Sequence, residues 1–247
     1  MTKVLVVANR KGGTAKTTTV VNLAYALSEK GAKVLVIDLD NQGHIELGFT
    51  AQPDLLSALS QPAWMSEFEE FKGVLAYSDR IHLALAHTDS AFDESAYTLN
   101  RFSQLFDDAG DAGHYDIILV DTPPTLGPRL LSALAGAHRI VIPAEPTPLA
   151  SDGVNKLLNA CMKAIRNKHF RASGIDILPV MVDDKLRIHR QTLGLWQEKF
   201  GAGRILPAIR RNVKLAEAFA VHQPVSEYAP LSAGAKDYRS LCDSLFS

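Results

Sequence analysis

The sequence predicts an α/β fold: a doubly wound, mostly parallel sheet of about seven strands with helices on both faces. Two observations predict it. Short aliphatic runs recur along the 247 residues, and most are apolar throughout rather than alternating, as strands covered on both faces require. Segments with helical apolar spacing lie between them, and strand–helix alternation of this kind builds a parallel sheet.

The first run, 3–8, contains Val4-Leu5-Val6-Val7-Ala8 and leads into Arg10-Lys11-Gly12-Gly13-Thr14-Ala15-Lys16-Thr17-Thr18, with a helical segment over 17–30 behind it. A buried strand, a glycine-containing turn and a helix N-terminus together make a phosphate-binding loop, so the sheet is of the P-loop NTPase type. The plain alternative is a lysine-rich turn. In a phosphate loop the backbone N–H groups from Gly12 to Thr18 point at a polyphosphate, Lys16 reaches the β- and γ-phosphates, and Thr17 holds Mg²⁺. Lys11 is a second lysine, at a place where ordinary phosphate loops need none. Arg10 and Ala15 stand where the general pattern has glycine. A Cβ at Ala15 is either tolerated, or slows hydrolysis, or loosens binding.

The next strand, 33–38, ends in Asp38-Leu39-Asp40-Asn41-Gln42-Gly43. Carboxylates at strand ends are often plain turn formers. Beside a phosphate loop, one serves the metal or the lysines (Asp38) and the other orients a water at the γ-phosphate (Asp40), because phosphoryl transfer is mainly positioning and charge stabilisation. The stretch 52–79, with Trp64, Phe68 and Phe71 among acidic residues, reads as short amphipathic helices on one edge. A strand over 81–86 and a helix over 96–109 precede the strand 116–121, whose closing Asp121 is a second metal candidate of the Walker B type. Pro123 and Pro124 stiffen the segment after it, either as a rigid loop or as a switch hinged at Gly127. Helices over 128–136, 152–168, 188–200 and 234–246 alternate with strands over 139–143, 175–182 and 204–209. In open parallel sheets ligands bind beyond the carboxyl ends of the strands, and the loaded residues fall there.

The chain, 1–247, reads as a single domain, and nothing at its N-terminus reads as a signal peptide. The overall charge is −1, but residues 1–150 carry 11 basic and 18 acidic side chains, and 151–247 carry 15 and 9. A basic C-terminal third marks a nucleic-acid or anionic-membrane face, or equally a solvated helix surface. The two cysteines, Cys161 and Cys242, form no C-x-x-C pair, which argues against a zinc or iron–sulfur site and suits a reducing compartment. His44, His87, His114 and His189 are scattered and suggest no catalyst. No apolar run reaches the ~20 residues of a membrane span.

The motifs Lys-Gly-Gly-x-x-Lys-Thr-Thr, Asp-x-Asp-x-Gln-Gly and Asp-x-Pro-Pro-x-Leu-Gly, in this order, resemble the ParA/MinD family of deviant Walker-motif ATPases. Pro143-Ala144-Glu145, Arg211-Asn212-Val213-Lys214-Leu215-Ala216-Glu217-Ala218 and Ala233-Gly234-Ala235-Lys236-Asp237-Tyr238 extend the match over nearly the whole chain, least over 52–97. The chain is most similar to the short ParA/Soj type of DNA-partitioning ATPase, without an N-terminal helix-turn-helix extension. That resemblance implies slow ATP hydrolysis with Mg²⁺ and an ATP-sandwiched homodimer in which Lys11 crosses to the partner's nucleotide. It also implies non-specific binding of double-stranded DNA in the ATP state and release stimulated by a ParB-like protein. Such a protein works in the cytoplasm on the nucleoid. Adenine would lie near Met181 and Pro207. Ala15, and Asn41 in place of the usual proline, depart from the family pattern.

Among the basic residues of the last third, Arg211 occupies the family's Arg-Asn-Val position and is the first choice for DNA, with Lys214, Arg190 and Arg187 beside it; Lys185, Arg204 and Arg210 belong to the same stretch. Lys163, Arg166, Lys168 and Arg171 read more simply as cations favoured at a helix C-terminus. A MinD-like protein acting on a membrane would need an amphipathic C-terminal helix with a basic face, and residues 237–247 carry two acids against one base. A metabolic ATP-dependent enzyme on the same scaffold is the alternative of a different class.

Overall fold

Continuous burial of the sheet orders the molecule. The computed structural model describes residues 2–49, 59–69, 71–87, 98–166 and 170–246. Seven strands, β1 (Lys3–Val7), β2 (Val34–Asp38), β3 (Phe71–Ala76), β4 (Ile81–Ala86), β5 (Ile117–Asp121), β6 (Arg139–Ala144) and β7 (Gly174–Pro179), form one sheet in the order β3-β4-β2-β5-β1-β6-β7. All pairs are parallel except β3 with β4. Every residue of β2 and β5 is buried, which is why these runs carry no polar alternation.

Alternate side chains feed two cores. Val4, Val6, Leu35 and Ile37 pack with Phe102, Phe106, Leu130, Val154 and Trp196 of α3 (Arg101–Gly113), α4 (Pro128–Gly136), α5 (Pro148–Arg166) and α6 (Arg187–Phe200). On the other face, Leu5, Val7, Val34 and Val36 meet α1 (Lys16–Glu29), α2 (His44–Phe49), α7 (Val213–Ala220) and α9 (Ala233–Phe246), with a short α8 (Val225–Tyr228) between the last two. Each fully buried Val, Leu or Ile contributes about 1.5–3 kcal/mol, so this double layer is the main source of stability. Among the described residues no helix is long and apolar enough to cross a membrane.

Three expectations are corrected. The run 204–209 is not a strand: Ile205 and Arg210 make only isolated bridges, to Ile177 and Val182. Pro207 lacks an N–H and cannot continue a ladder. The seventh strand is instead β3, inside the stretch expected to be helical; it bulges at Gly73 (φ +145°), and Ser60 pairs with Val74 alongside it. Among its described residues that stretch does contain a 3₁₀ turn, Ala63–Met65. Helix α3 begins at Arg101 rather than 96; residues 96 and 97 lie outside the described residues.

Candidate functional site

The site forms where β1, β2 and β5 end side by side. Asp38 and Asp121 are register partners on adjacent strands, and both are fully buried. The loop from β1 to α1 is pinned at its start, where Asn9 Nδ2 donates to the Pro143 carbonyl at 2.7 Å and Asn9 Oδ1 accepts from the Lys11 N–H at 3.1 Å. Gly13 and Ala15 both adopt left-handed conformations, with φ of 70° and 60°. α1 has no side-chain cap, so its first N–H groups are available to an anion. A Cβ built on Gly12 or Gly13 would meet nothing within 4 Å. The glycines therefore keep the cradle's mouth open rather than relieving a clash with the protein.

Ala15 carries its Cβ in a conformation that L-residues avoid. Ala15→Gly is expected to raise stability by about 0.5–1 kcal/mol, the strain relieved exceeding the extra chain entropy of glycine in the unfolded state. Urea unfolding checks it; a loss of stability would mean that the Cβ packs usefully.

Behind the loop, Lys16 is 7% exposed. Burial lowers its pKa, and Asp121 and Asp40 draw it back up. Burial pushes Asp121 up to about 7 even though the Thr17 hydroxyl, Lys16 and the Thr122 N–H favour its charged form. Asp38 is raised well above the carboxylate range, by burial first and the Asp121 charge second. Two buried carboxylates with one buried lysine are under-compensated, and a divalent cation would correct that balance. Thr17 Oγ1 donates to Asp121 Oδ2 at 2.6 Å, placing a hydroxyl and a carboxylate together at the phosphate loop, the oxygen donors that Mg²⁺ takes. These residues fit Mg²⁺.

Asp38, the third residue expected at the metal, spends its oxygens on main chain: Oδ1 accepts from the Asp40 N–H at 2.9 Å and Oδ2 from the Ile45 N–H at 3.4 Å. It thereby shapes the loop carrying Asp40. The Asp40 carboxylate accepts from the Gln42 N–H at 3.1 Å, is 8% exposed, and lines the cavity over the loop. Lys11, by contrast, is exposed and makes no ion pair among the described residues.

Two adjoining cavities lie at this end. One, of about 440 Å³, runs over Gly12 to Thr18 with Asp40, Gln42 and Pro124. The other, of about 470 Å³, is walled by Val180, Met181, Ile209, Leu215 and Tyr238, and both share Gly13, Ala15, Thr18 and Phe219. An apolar recess joined to a phosphate cradle suits a flat ring carrying a polyphosphate. Met181 (φ 52°) lines the recess; Pro207 is half-buried and is not among its lining residues, the wall at that level being Ile209 to Asn212. Sequence reasoning passed over Phe219, which sits between the two cavities, and Glu145. The helical spacing of Leu215 and Phe219 on α7, behind the Asn212 cap that accepts from the Lys214 N–H at 2.8 Å, was the available signal for the first. Glu145 stood only within the Pro143-Ala144-Glu145 match and carried no role there, because its role comes from distant contacts.

Those contacts gather the basic stretch. The Arg211 N–H donates to the Val182 carbonyl at 2.9 Å, bringing Arg211 and Lys214 beside the segment that runs through Lys185, Arg187 and Arg190. All five are exposed. Glu145 pairs with Arg211 at 3.1 Å and lies 3.7 Å from the buried His189. Lys214 pairs with Glu217 at 2.7 Å. Arg190 donates to the Asp184 carbonyl, Arg210 is held by Asp237, and Arg204 faces the buried Asp176 at 3.5 Å. Exposed pairs such as Arg211 with Glu145 contribute little and release their cation readily. Of the other cluster, Arg171 pairs with Asp107 at 2.6 Å. Lys168 lies outside the described residues, and only the backbone of Lys163 and Arg166 is described.

Comparison with known proteins fits this geometry. A family model described as an AAA domain matches residues 2–173. The chain is 34% identical to the chromosome-partitioning ATPase Soj of Thermus thermophilus, over 98% of this chain and 95% of that one. Among solved structures, cobyrinic acid a,c-diamide synthase from Mycobacterium smegmatis with bound ADP and magnesium superposes with a TM-score of 0.76 at 28% identity, covering 98% of this chain and 93% of that one. The septum site-determining protein MinD of Pyrococcus horikoshii, complexed with Mg-ADP, shares the fold, with a TM-score of 0.73 at 19% identity over 100% and 97% of the two chains.

Proposed function

The chain belongs to the ParA/Soj family of partitioning ATPases, and from that premise we propose that it closes as a homodimer around ATP, binds double-stranded DNA without sequence preference in that state, and lets go when a ParB-like partner stimulates hydrolysis. Its work is to segregate or position a DNA molecule or another large cargo, in the cytoplasm and on the nucleoid. The observation that carries this reading is the two-lysine loop: Lys16 is buried behind the cradle while Lys11 stands exposed at its mouth, free to reach a second subunit.

In this reading each residue has one task. Backbone N–H groups from Gly12 to Thr18 hold the phosphates, and Lys16 supplies positive charge at the β- and γ-phosphates. Thr17 and Asp121 would hold Mg²⁺, which when bound neutralises phosphate charge; Asp38 fixes the Asp40 loop behind them. Asp40 orients the attacking water. Lys11 reaches the partner's nucleotide, and adenine enters the apolar recess beside Met181. Arg211, Lys214, Arg190 and Arg187 meet the DNA phosphates.

Binding of the purified protein to non-specific duplex DNA, with ATP, ADP or no nucleotide, tests the reading. Binding with ATP alone supports the DNA switch. ATP-driven dimerisation without DNA binding in any state moves the partner to a membrane, a protein or a metabolite. Arg211→Ala is expected to weaken DNA binding roughly 3–10-fold and to lower the salt dependence by about one phosphate per subunit, with dimerisation intact. Loss of dimerisation as well would place Arg211 in the subunit interface.

A further inference from the structure

We propose that Arg129 is a positioning residue for hydrolysis: it holds the main chain just ahead of Asp40 and ties it to the segment beyond Asp121. The proposal rests on the reading of Asp40 as the water-orienting group.

Arg129 is the second residue of α4 and is only 8% exposed. A cation at that place is disfavoured twice. It has been withdrawn from water, and it sits at the helix end whose dipole is positive. Its contacts therefore matter. Nη1 donates to the carbonyl of Leu39 at 3.2 Å, across 90 residues of chain. The Leu39 N–H donates to the Asp121 carbonyl at 3.0 Å. Leu39 is therefore gripped on one side by the end of β5 and on the other by the first turn of α4.

The next residue is Asp40. Its N–H is fixed by Asp38, so the direction of its side chain depends on how the Leu39 and Asp40 peptides are held. A hydrogen bond from a charged donor is about twice as strong as a neutral one, which makes the arginine an effective clamp. Pro123 and Pro124 fix two of the φ angles in the link between Asp121 and α4. A shift of the first turn of α4 is thus carried by the guanidinium to the carbonyl that precedes Asp40. Misplacing a reacting group by about 1 Å can cost roughly 10²-fold in rate.

ATPase kinetics, ATP affinity and thermal unfolding of the full chain test this for Arg129→Met, Arg129→Lys, Asp40→Ala and the double variant Arg129→Met with Asp40→Ala. Arg129→Met should lower kcat roughly 10–100-fold while KM and ATP affinity stay within about threefold. Arg129→Lys, which keeps a charged donor of similar reach, should recover at least about fivefold of that loss. The double variant should be no slower than Asp40→Ala alone, because Arg129 acts through Asp40. Unchanged kcat in Arg129→Met overturns the proposal. So does a loss in which ATP affinity falls in step and lysine restores nothing, or losses that multiply in the double variant. If Arg129→Met does not fold, Arg129→Gln decides on the same split of kcat from KM. Wild-type turnover in Asp40→Ala would remove the assigned role of Asp40, and the route through it, whatever Arg129 does.

Discussion

Lys16→Ala is expected to abolish nucleotide binding, weakening ATP by at least about 100-fold, or roughly 3 kcal/mol. Two losses add. The ammonium is the buried positive charge of the cradle, 7% exposed, and charge-assisted bonds to phosphate are among the strongest the site can make. Its removal also leaves Asp121 and Asp40 facing an incoming polyanion without the cation that now offsets them. Titration calorimetry with Mg²⁺ and ATP measures the effect. A dissociation constant within threefold of wild type would mean that Lys16 does not face the phosphates. The variant is also expected to be less stable, because removing one partner of a buried charge group leaves Asp121 less compensated, so thermal unfolding is read beside the titration.

Asp40→Ala should separate binding from chemistry. The variant is expected to bind ATP with near-wild-type affinity, to dimerise, and to hydrolyse about 10²–10³ times more slowly, the range typical of a positioned polar group at a reacting water. Asp40 lines the cavity over the loop, and truncating its side chain removes the carboxylate and its bond from the Gln42 N–H while leaving the backbone anchor on Asp38. Single-turnover hydrolysis alongside size-exclusion chromatography reads both properties. Normal hydrolysis would transfer the water to another group. A variant unable to dimerise would make Asp40 an interface residue.

Much of this was legible in the chain because the relevant physics is local. Strands buried on both faces must be apolar throughout, so β1, β2, β5, β6 and β7 announce themselves. The phosphate loop is written in backbone requirements and one lysine, which leave a compact signature. β3 was hidden because an antiparallel edge strand tolerates Lys72 and Gly73 in its interior. The run 204–209 misled for the opposite reason: Ile205, Leu206 and Ile209 are apolar because they pack on the core, while Pro207 prevents a ladder. The contacts of Arg129 with Leu39 and of Glu145 with Arg211 cross 90 and 66 residues, and no spacing rule encodes such meetings.

The short pairings of Ser60 with Val74 and of Ile205 with Ile177 have an effect on the solution behaviour of the molecule. A sheet rim that offers a free row of amides and carbonyls recruits more strand, from any copy of itself, without limit and without regard to nucleotide. Here one rim is blunted by a bulge and a crossing chain, and the other by a segment that docks Leu206 and Ile209 onto Ile177 and Pro179. Backbone-templated polymerisation is closed off at both sides. The proposed dimer would then rely on side chains at the open end of the sheet, where association can be made conditional on what the phosphate loop holds.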